Sequence, residues 1–333
     1  MKGNIGNRTP KVTVIVPVYG VEKYIERCAR SLFEQTLDDI EYLFIDDCTP
    51  DRSIEILKSV LEEYPNRKEQ VIIHQMEQNS GQAKVREWGM KNATGAYVIH
   101  CDSDDWVDTD MYHSMYEKAK EENADVVVCD FVITDGLIIN KNIGCLNTDG
   151  DLFFRDCCSM KTSWSLCNKL VKTSIIKKGV LYPQHNMGED MVIMLQILSK
   201  ANRISYISSP FYNYFENNLS ITNSIEEESI VNRSKQYFEN SKLVIKAIHK
   251  DQGAANYDDE ILFIKWIARR NLWMLTDQWK YFKQWKAIWP EIDRCIWGNK
   301  YIYTFDKVKY VLTYLRLYPL LPKVYRKLFQ NKR

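Results

Sequence analysis

No stretch of the 333 residues reaches the roughly 18 consecutive apolar positions that a bilayer-spanning helix needs, so integral membrane insertion is not expected. The opening Met1-Lys2-Gly3-Asn4 lacks the apolar core of a secretory signal. A surplus of one charge is missing as well. Lys and Arg number 45 against 44 Asp and Glu, a net of +1, which gives no reason to expect a nucleic-acid partner. Nine cysteines (Cys28, Cys48, Cys101, Cys129, Cys145, Cys157, Cys158, Cys167, Cys295) form no C-x-x-C pair, and the five histidines show no ligand spacing. A zinc site therefore lacks support, and reduced, packed thiols in a cytoplasmic protein are expected. After the first strand pattern the chain reads Pro17-Val18-Tyr19-Gly20-Val21-Glu22-Lys23, without G-x-G-x-x-G, and Gly-Lys-Ser/Thr occurs nowhere. Dinucleotide and P-loop phosphate binding are thereby excluded.

What is there belongs to a folded protein. The apolar fraction of 45% is that of a globular chain, and the length suggests about two domains. Residues 11–18, 41–45, 71–76, 96–101 and 126–133 are short apolar runs without alternation. Between them, residues 24–33, 54–64, 82–92 and 111–122 carry apolar positions at helical spacing. Non-alternating strands separated by amphipathic helices imply a doubly wound α/β domain, its mostly parallel sheet covered on both faces. The rhythm fades over 136–224, and from 225 the pattern is nearly all helix, with Trp279, Trp285, Trp289 and Trp297 in one stretch. The expected organisation is an α/β domain over 1–224, a helical region over 225–297 and a distinct tail over 298–333.

That tail holds nine cations against one acid, Asp306, so it carries +8 and leaves −7 for the rest. Tyrosines and leucines interleave the cations (Tyr310, Leu312, Tyr314, Leu315, Tyr318, Leu320, Leu321, Tyr325, Leu328). A basic, aromatic-rich amphipathic segment suits the anionic inner face of a membrane; a helix packed on its own domain with a solvated basic face is the competing reading.

In an open parallel sheet, ligands bind beyond the carboxyl ends of the strands. Three strand patterns here run into polar residues: Pro17-Val18-Tyr19-Gly20, Asp46-Asp47-Cys48-Thr49 and Asp102-Ser103-Asp104-Asp105. Five carboxylates brought to one edge repel unless a cation sits among them, and oxygen ligands without sulfur or imidazole select Mg2+ or Mn2+. Such ions keep positions for phosphate oxygens, so a nucleoside diphosphate is the implied ligand. Helix capping by Asp46, Asp47 or Asp51 near Ser53 competes with this reading, as do first-turn acids at Glu189-Asp190. Trp164 fits an acceptor-stacking position and a core position equally.

The ordered set Val14-Ile15-Val16-Pro17-Val18-Tyr19, Ile45-Asp46-Asp47…Asp51, Asn79-Ser80-Gly81…Arg86 and Asp102-Ser103-Asp104-Asp105 resembles the family 2 glycosyltransferases of GT-A fold. Asn168-Lys169-Leu170, Gly188-Glu189-Asp190 and Tyr212-Asn213-Tyr214…Ser220-Ile221-Thr222 extend the likeness, which covers about residues 10–222. It implies a bacterial cell-surface polysaccharide enzyme that transfers a sugar, with inversion, from a UDP-sugar to a glycan or lipid-linked acceptor. It also implies residue roles. Pro17, Val18, Tyr19 and Glu22 would line the nucleoside pocket, with Asp46 and Asp47 by the base. Gly81 would allow close backbone approach, and Arg86 would neutralise phosphate or orient the acids. Asp102 and Ser103 would sit by the donor, with Asp102, Asp104 and Asp105 around the metal. Asp190, beside Glu189, would be the catalytic base. A nucleotidyltransferase would want a Gly-rich, Lys/Arg-bearing loop after the first strand, which is missing; a non-catalytic binding protein fits poorly with the complete acidic set.

Overall fold

The computed structural model describes residues 9–136, 139–216, 226–251 and 257–317. The chain divides into two compact units, Met1–Ile221 and Thr222–Arg333. The first unit runs β1 (Val12–Val18), α1 (Ile25–Phe33), β2 (Ile40–Asp46), α2 (Ser53–Glu62), β3 (Val71–Gln75), α3 (Gln82–Asn92), β4 (Tyr97–His100), β5 (Trp106–Val107), α4 (Met111–Glu121) and β6 (Val126–Thr134). It continues with β7 (Ile139–Asn142), α5 (Gly150–Cys158), β8 (Lys169–Lys172), α6 (Thr173–Ile176), α7 (Glu189–Leu198) and β9 (Ile204–Phe215).

All nine strands join one sheet in the order β3-β2-β1-β4-β8-β6-β9-β5, with β7 on β6. The half from β3 to β4 is parallel, as the apolar runs predict. Beyond β4 the sheet is mixed. β6 does not neighbour β4; β8 lies between them, antiparallel to both, and β9 then runs parallel to β6. Four residues flanked by lysines carry too little pattern to be read as a central strand.

β1, β2 and β4 are almost wholly buried, which is what helices on both faces require of a strand. α1 buries Ile25, Cys28, Ala29, Leu32 and Phe33, one stripe at i, i+3, i+4, i+7 and i+8. These meet Val12, Val14, Val16, Tyr42 and Phe44, each fully buried aliphatic contributing about 1.5–3 kcal/mol. On the opposite face α3 comes close because Gly89 has no side chain: a Cβ there would stand 2.6 Å from Ile15 Cγ2. The register sets Val18 beside Asp46 and Ile15 beside His100, so the carboxyl ends of β1, β2 and β4 end at one edge. All nine cysteines are free, and seven of them are buried.

The second unit is helical: α8 (Glu227–Asp251), α9 (Asp258–Arg270), α10 (Trp279–Ala287), α11 (Ile292–Cys295) and α12 (Thr304–Tyr314). Trp266, Trp273, Trp285, Phe282 and Tyr310 form its core. The fully buried Arg269 pairs with Asp293 at 2.7 Å and lies 4.1 Å over the Trp285 ring. Trp279 and Trp297, by contrast, are exposed, as are Phe305 and Val308 on α12 and Leu315 just after it. No helix among the described residues is long and apolar enough to cross a membrane. Residues 318–333 of the basic tail lie outside the described residues, as does the Ser220-Ile221-Thr222 motif.

Candidate active site

Three loops leave the carboxyl edge of the sheet and tie to one another. After β1 the chain turns at Gly20; the Gly20 and Val21 amides donate to Thr49 Oγ1 (2.8 Å) and Ser53 Oγ (3.1 Å), and that of Glu22 donates to Asp51 Oδ2 (2.9 Å). Pro17 and Val18 finish the strand inside the fold, whereas Tyr19 is half exposed and Glu22 exposed. After β2 each acid has a separate task. Asp51 serves the first turn of α2, accepting from the Ser53 amide and hydroxyl at 3.1 and 2.6 Å. Asp46 closes its own turn by accepting from the Thr49 amide at 2.8 Å. Asp47 reaches across to the loop before α3, where its two oxygens accept the Ser80 and Gly81 amides at 2.7 and 2.8 Å. Capping therefore accounts for Asp51 and leaves the adjacent pair at the edge.

The third loop, Asp102-Ser103-Asp104-Asp105, holds the strongest charge density. Ser103 is buried. Asp105 is fixed inward: its carboxylate accepts from the Tyr212 hydroxyl and, at 2.7 Å, from the Phe215 amide at the end of β9. Tyr212 also receives the Asp102 amide at 3.1 Å, so one hydroxyl braces both ends of the loop. Burial, then the charges of Asp104 and Asp102, raise Asp105 well above the carboxylate range. Asp104 has no such brace, and burial together with Asp102 pushes it up to about 6. Its carbonyl accepts from Arg27 at 2.8 Å, and that guanidinium stacks 3.8 Å over Trp106. Among the described residues no group of three or more acids, histidines or cysteines is gathered as a metal cage. The available pair is Asp102 and Asp104.

Arg86, on α3, is buried and bridges two parts of this edge. One nitrogen pairs with Asp102 at 2.8 Å and the other with Glu189. Burial alone weakens the guanidinium's hold on its proton, but Asp102 and Glu189 more than offset it. Both contacts of Arg86 are thus to acids of this edge. Glu189 and Asp190 open α7 behind the left-handed Gly188. Burial lifts Glu189 to about 8 despite Arg86, with Asp190 adding to the rise. Asp190 is less enclosed; its Oδ1 accepts the Met191 amide at 2.8 Å. Burial raises it as well, against Arg86, which moves a carboxylate toward the range useful for a general base.

Sequence reasoning assigned no role to two residues here, although Lys169 lies in one of the motifs that extend the family likeness. Lys169, fully buried, donates to the Ser163 and Ser165 carbonyls and Asn168 Oδ1 at 2.8–2.9 Å, holding the loop that carries the half-buried Trp164. Asn186 accepts the Ala83 amide at 3.1 Å through its side chain. Neither has a local signature, because the partners are carbonyls or lie about a hundred residues away.

The family described as Glycosyl transferase family 2 matches residues 13–154, the span that builds the three loops. The Bacillus subtilis protein named uncharacterized glycosyltransferase EpsJ is 31% identical over 64% of this chain and 63% of its own length, so the chain spans just under two thirds of that relative. The Borreliella burgdorferi cholesterol galactosyltransferase is 30% identical over 71% of this chain and 68% of its own. Among solved structures, residues 1–349 of S. aureus TarS share the fold with a TM-score of 0.67 at 23% identity, over 85% of this chain and 82% of that one. The same TarS fragment bound to UDP-GlcNAc gives 0.56 at 19% identity, over 78% and 81%. The fold is thus GT-A, and this chain belongs to glycosyl transferase family 2.

Proposed function

We propose that this chain is an inverting, metal-dependent glycosyltransferase that moves a sugar from a UDP-sugar to a hydroxyl of a glycan or lipid-linked acceptor in cell-surface polysaccharide synthesis. The observation that carries the reading is the Arg86 bridge, which makes the acidic loop after β4 and the first turn of α7 one charged assembly. A UDP-GlcNAc complex of the similar TarS fold supports the donor class.

The nucleoside would lie along Pro17, Val18, Tyr19 and Glu22, bounded by Asp46 and by the loop that Asp47 holds. Each Asp47 oxygen keeps a lone pair beyond its amide bond, which leaves it able to accept a base N–H. Asp102 and Asp104 would hold Mn2+ or Mg2+. Burial raises Asp104, with Asp102 adding to the rise, and the carboxylate oxygens of this pair are a donor set that suits a hard ion with positions left for diphosphate oxygens. Bound there, the ion would supply Lewis-acid stabilisation of the leaving diphosphate. Asp105 would act from behind, through Tyr212. Asp190 would take the acceptor's hydroxyl proton on Oδ2, since Oδ1 is engaged by Met191, while the oxygen attacks the anomeric carbon opposite the diphosphate. A single displacement inverts that centre without a covalent sugar–enzyme intermediate.

A screen of nucleotide sugars with Mn2+, reading released nucleoside diphosphate, identifies the donor. Asp190→Asn is expected to abolish transfer with donor binding retained, whereas Asp104→Ala weakens both, as measured by calorimetry. Equal loss of donor binding in the two variants would refute this division of roles. The exposed Phe305 and Val308 lie at helical spacing with the half-buried Leu312 on α12, and the exposed Leu315 follows at its C-terminal end. With the cations of 298–333, they support attachment to the cytosolic face of an anionic membrane, where a lipid-linked acceptor would reside.

A further inference from the structure

α3 and α7 meet through their first turns. Asn186, in the turn just before α7, supplies two of the contacts. Its side-chain oxygen accepts the Ala83 amide at 3.1 Å, and its backbone carbonyl accepts the Glu189 amide at 3.3 Å, so one residue caps both helices. Its carboxamide also fills the space above Gly81, where a Cβ would stand 2.6 Å from Oδ1 and closer still to Nδ2. Gly81 itself is held from the other side by Asp47, with φ at +81°. One turn further along both helices, Arg86 meets Glu189. The pairs 83/186 and 86/189 are thus in step, each joining residues 103 apart. Asp190 follows directly on α7, so its place relative to the nucleotide-facing edge depends on this seam.

We propose that Asn186 is a positioning residue. Its carboxamide, keyed over Gly81, sets the first turn of α7 and hence the distance of the Asp190 carboxylate from the donor edge. A Cβ at position 81 would collide with the Asn186 carboxamide, in addition to the strain of its positive φ. The inference rests on the transferase reading with Asp190 as base. A displacement of about 1 Å at a reacting group costs on the order of a hundredfold in rate, so the effect belongs in kcat, not in donor affinity.

The test uses the full chain with its preferred sugar nucleotide and Mn2+. Asn186→Ala is expected to lower kcat about 10- to 100-fold with calorimetric donor affinity within about twofold of the parent. Asn186→Asp, which keeps the oxygen at the positive end of α3, should recover most of the rate. Gly81→Ala should cost less in kcat and melting temperature when introduced beside Asn186→Ala than alone, since the collision is gone and only backbone strain remains. Unchanged kcat in Asn186→Ala, or losses that simply multiply in the double variant, would overturn the inference while leaving the transferase reading intact. If the parent releases no nucleoside diphosphate from any sugar nucleotide, the transferase reading fails and the inference falls with it.

Discussion

At the scale of the residue, Arg86 decides how many charges this edge can carry. One guanidinium faces Asp102 and Glu189, with Asp190 next in the chain, and burial, with Asp190 adding to it, lifts Glu189 to about 8. Arg86→Gln leaves two acids without their cation, a loss of about 3–5 kcal/mol in stability. The sign with pH follows from proton counting. A carboxyl raised in the folded state keeps a proton that the unfolded chain releases above about 4.5, so stability falls as pH climbs from there toward 8. Removing Arg86 raises Glu189 further and steepens that fall. Urea unfolding at pH 5 and pH 8.5 should therefore show the larger deficit at the higher pH; equal deficits would mean that Glu189 is not the titrating partner. Glu189 and Asp190 stood out through the family resemblance, whereas Asp46-Asp47 and Asp102–Asp105 were legible in the sequence because each cluster ends an apolar strand pattern. The division of labour among Asp46, Asp47 and Asp51 was not, since it depends on which amides the fold brings within reach, and those of Ser80 and Gly81 come from a different loop.

At the scale of the element, β9 does more than complete the sheet. Its Tyr212 hydroxyl and Phe215 amide converge on the Asp105 carboxylate, so the acidic loop is fixed by a strand about 110 residues further along the chain. Tyr212→Phe strands a buried acid and an amide, at about 1–3 kcal/mol. In a unit of this size the melting temperature should drop by about 2–4 °C per kcal/mol, with weaker transfer. An unchanged melt would show that Asp105 has another brace. The elements from β1 to α4, apart from β5, were readable because apolar runs and 3.6-residue stripes are local signals, and α3 falls where its periodicity predicts. β5 has two residues and β8 has four with lysine at each end, so neither carries a period. The antiparallel turn of the sheet beyond β4 was hidden for the same reason: which strands pair is decided by packing across 40 or more residues.

At the scale of the whole molecule, near-neutrality conceals a basic end of +8 on a chain otherwise at −7. The full chain should co-sediment with vesicles containing anionic lipid and not with neutral ones. Raising salt from about 0.1 to 1 M, which shortens screening from about 10 to 3 Å, should release it. Replacing Phe305 and Leu315 together by Glu should weaken co-sedimentation at low salt; unchanged retention on anionic vesicles would assign binding to charge alone. The placement of β8 has a consequence for biogenesis. Residues 169–172 close the gap between β4 and β6, so a nascent chain that has left the ribosome only as far as β6 carries unsatisfied ladder edges on both sides of that gap. Such an intermediate is open to intermolecular pairing until β8 and then β9, which covers the other edge of β6, have been made, so the sheet is complete only past residue 215.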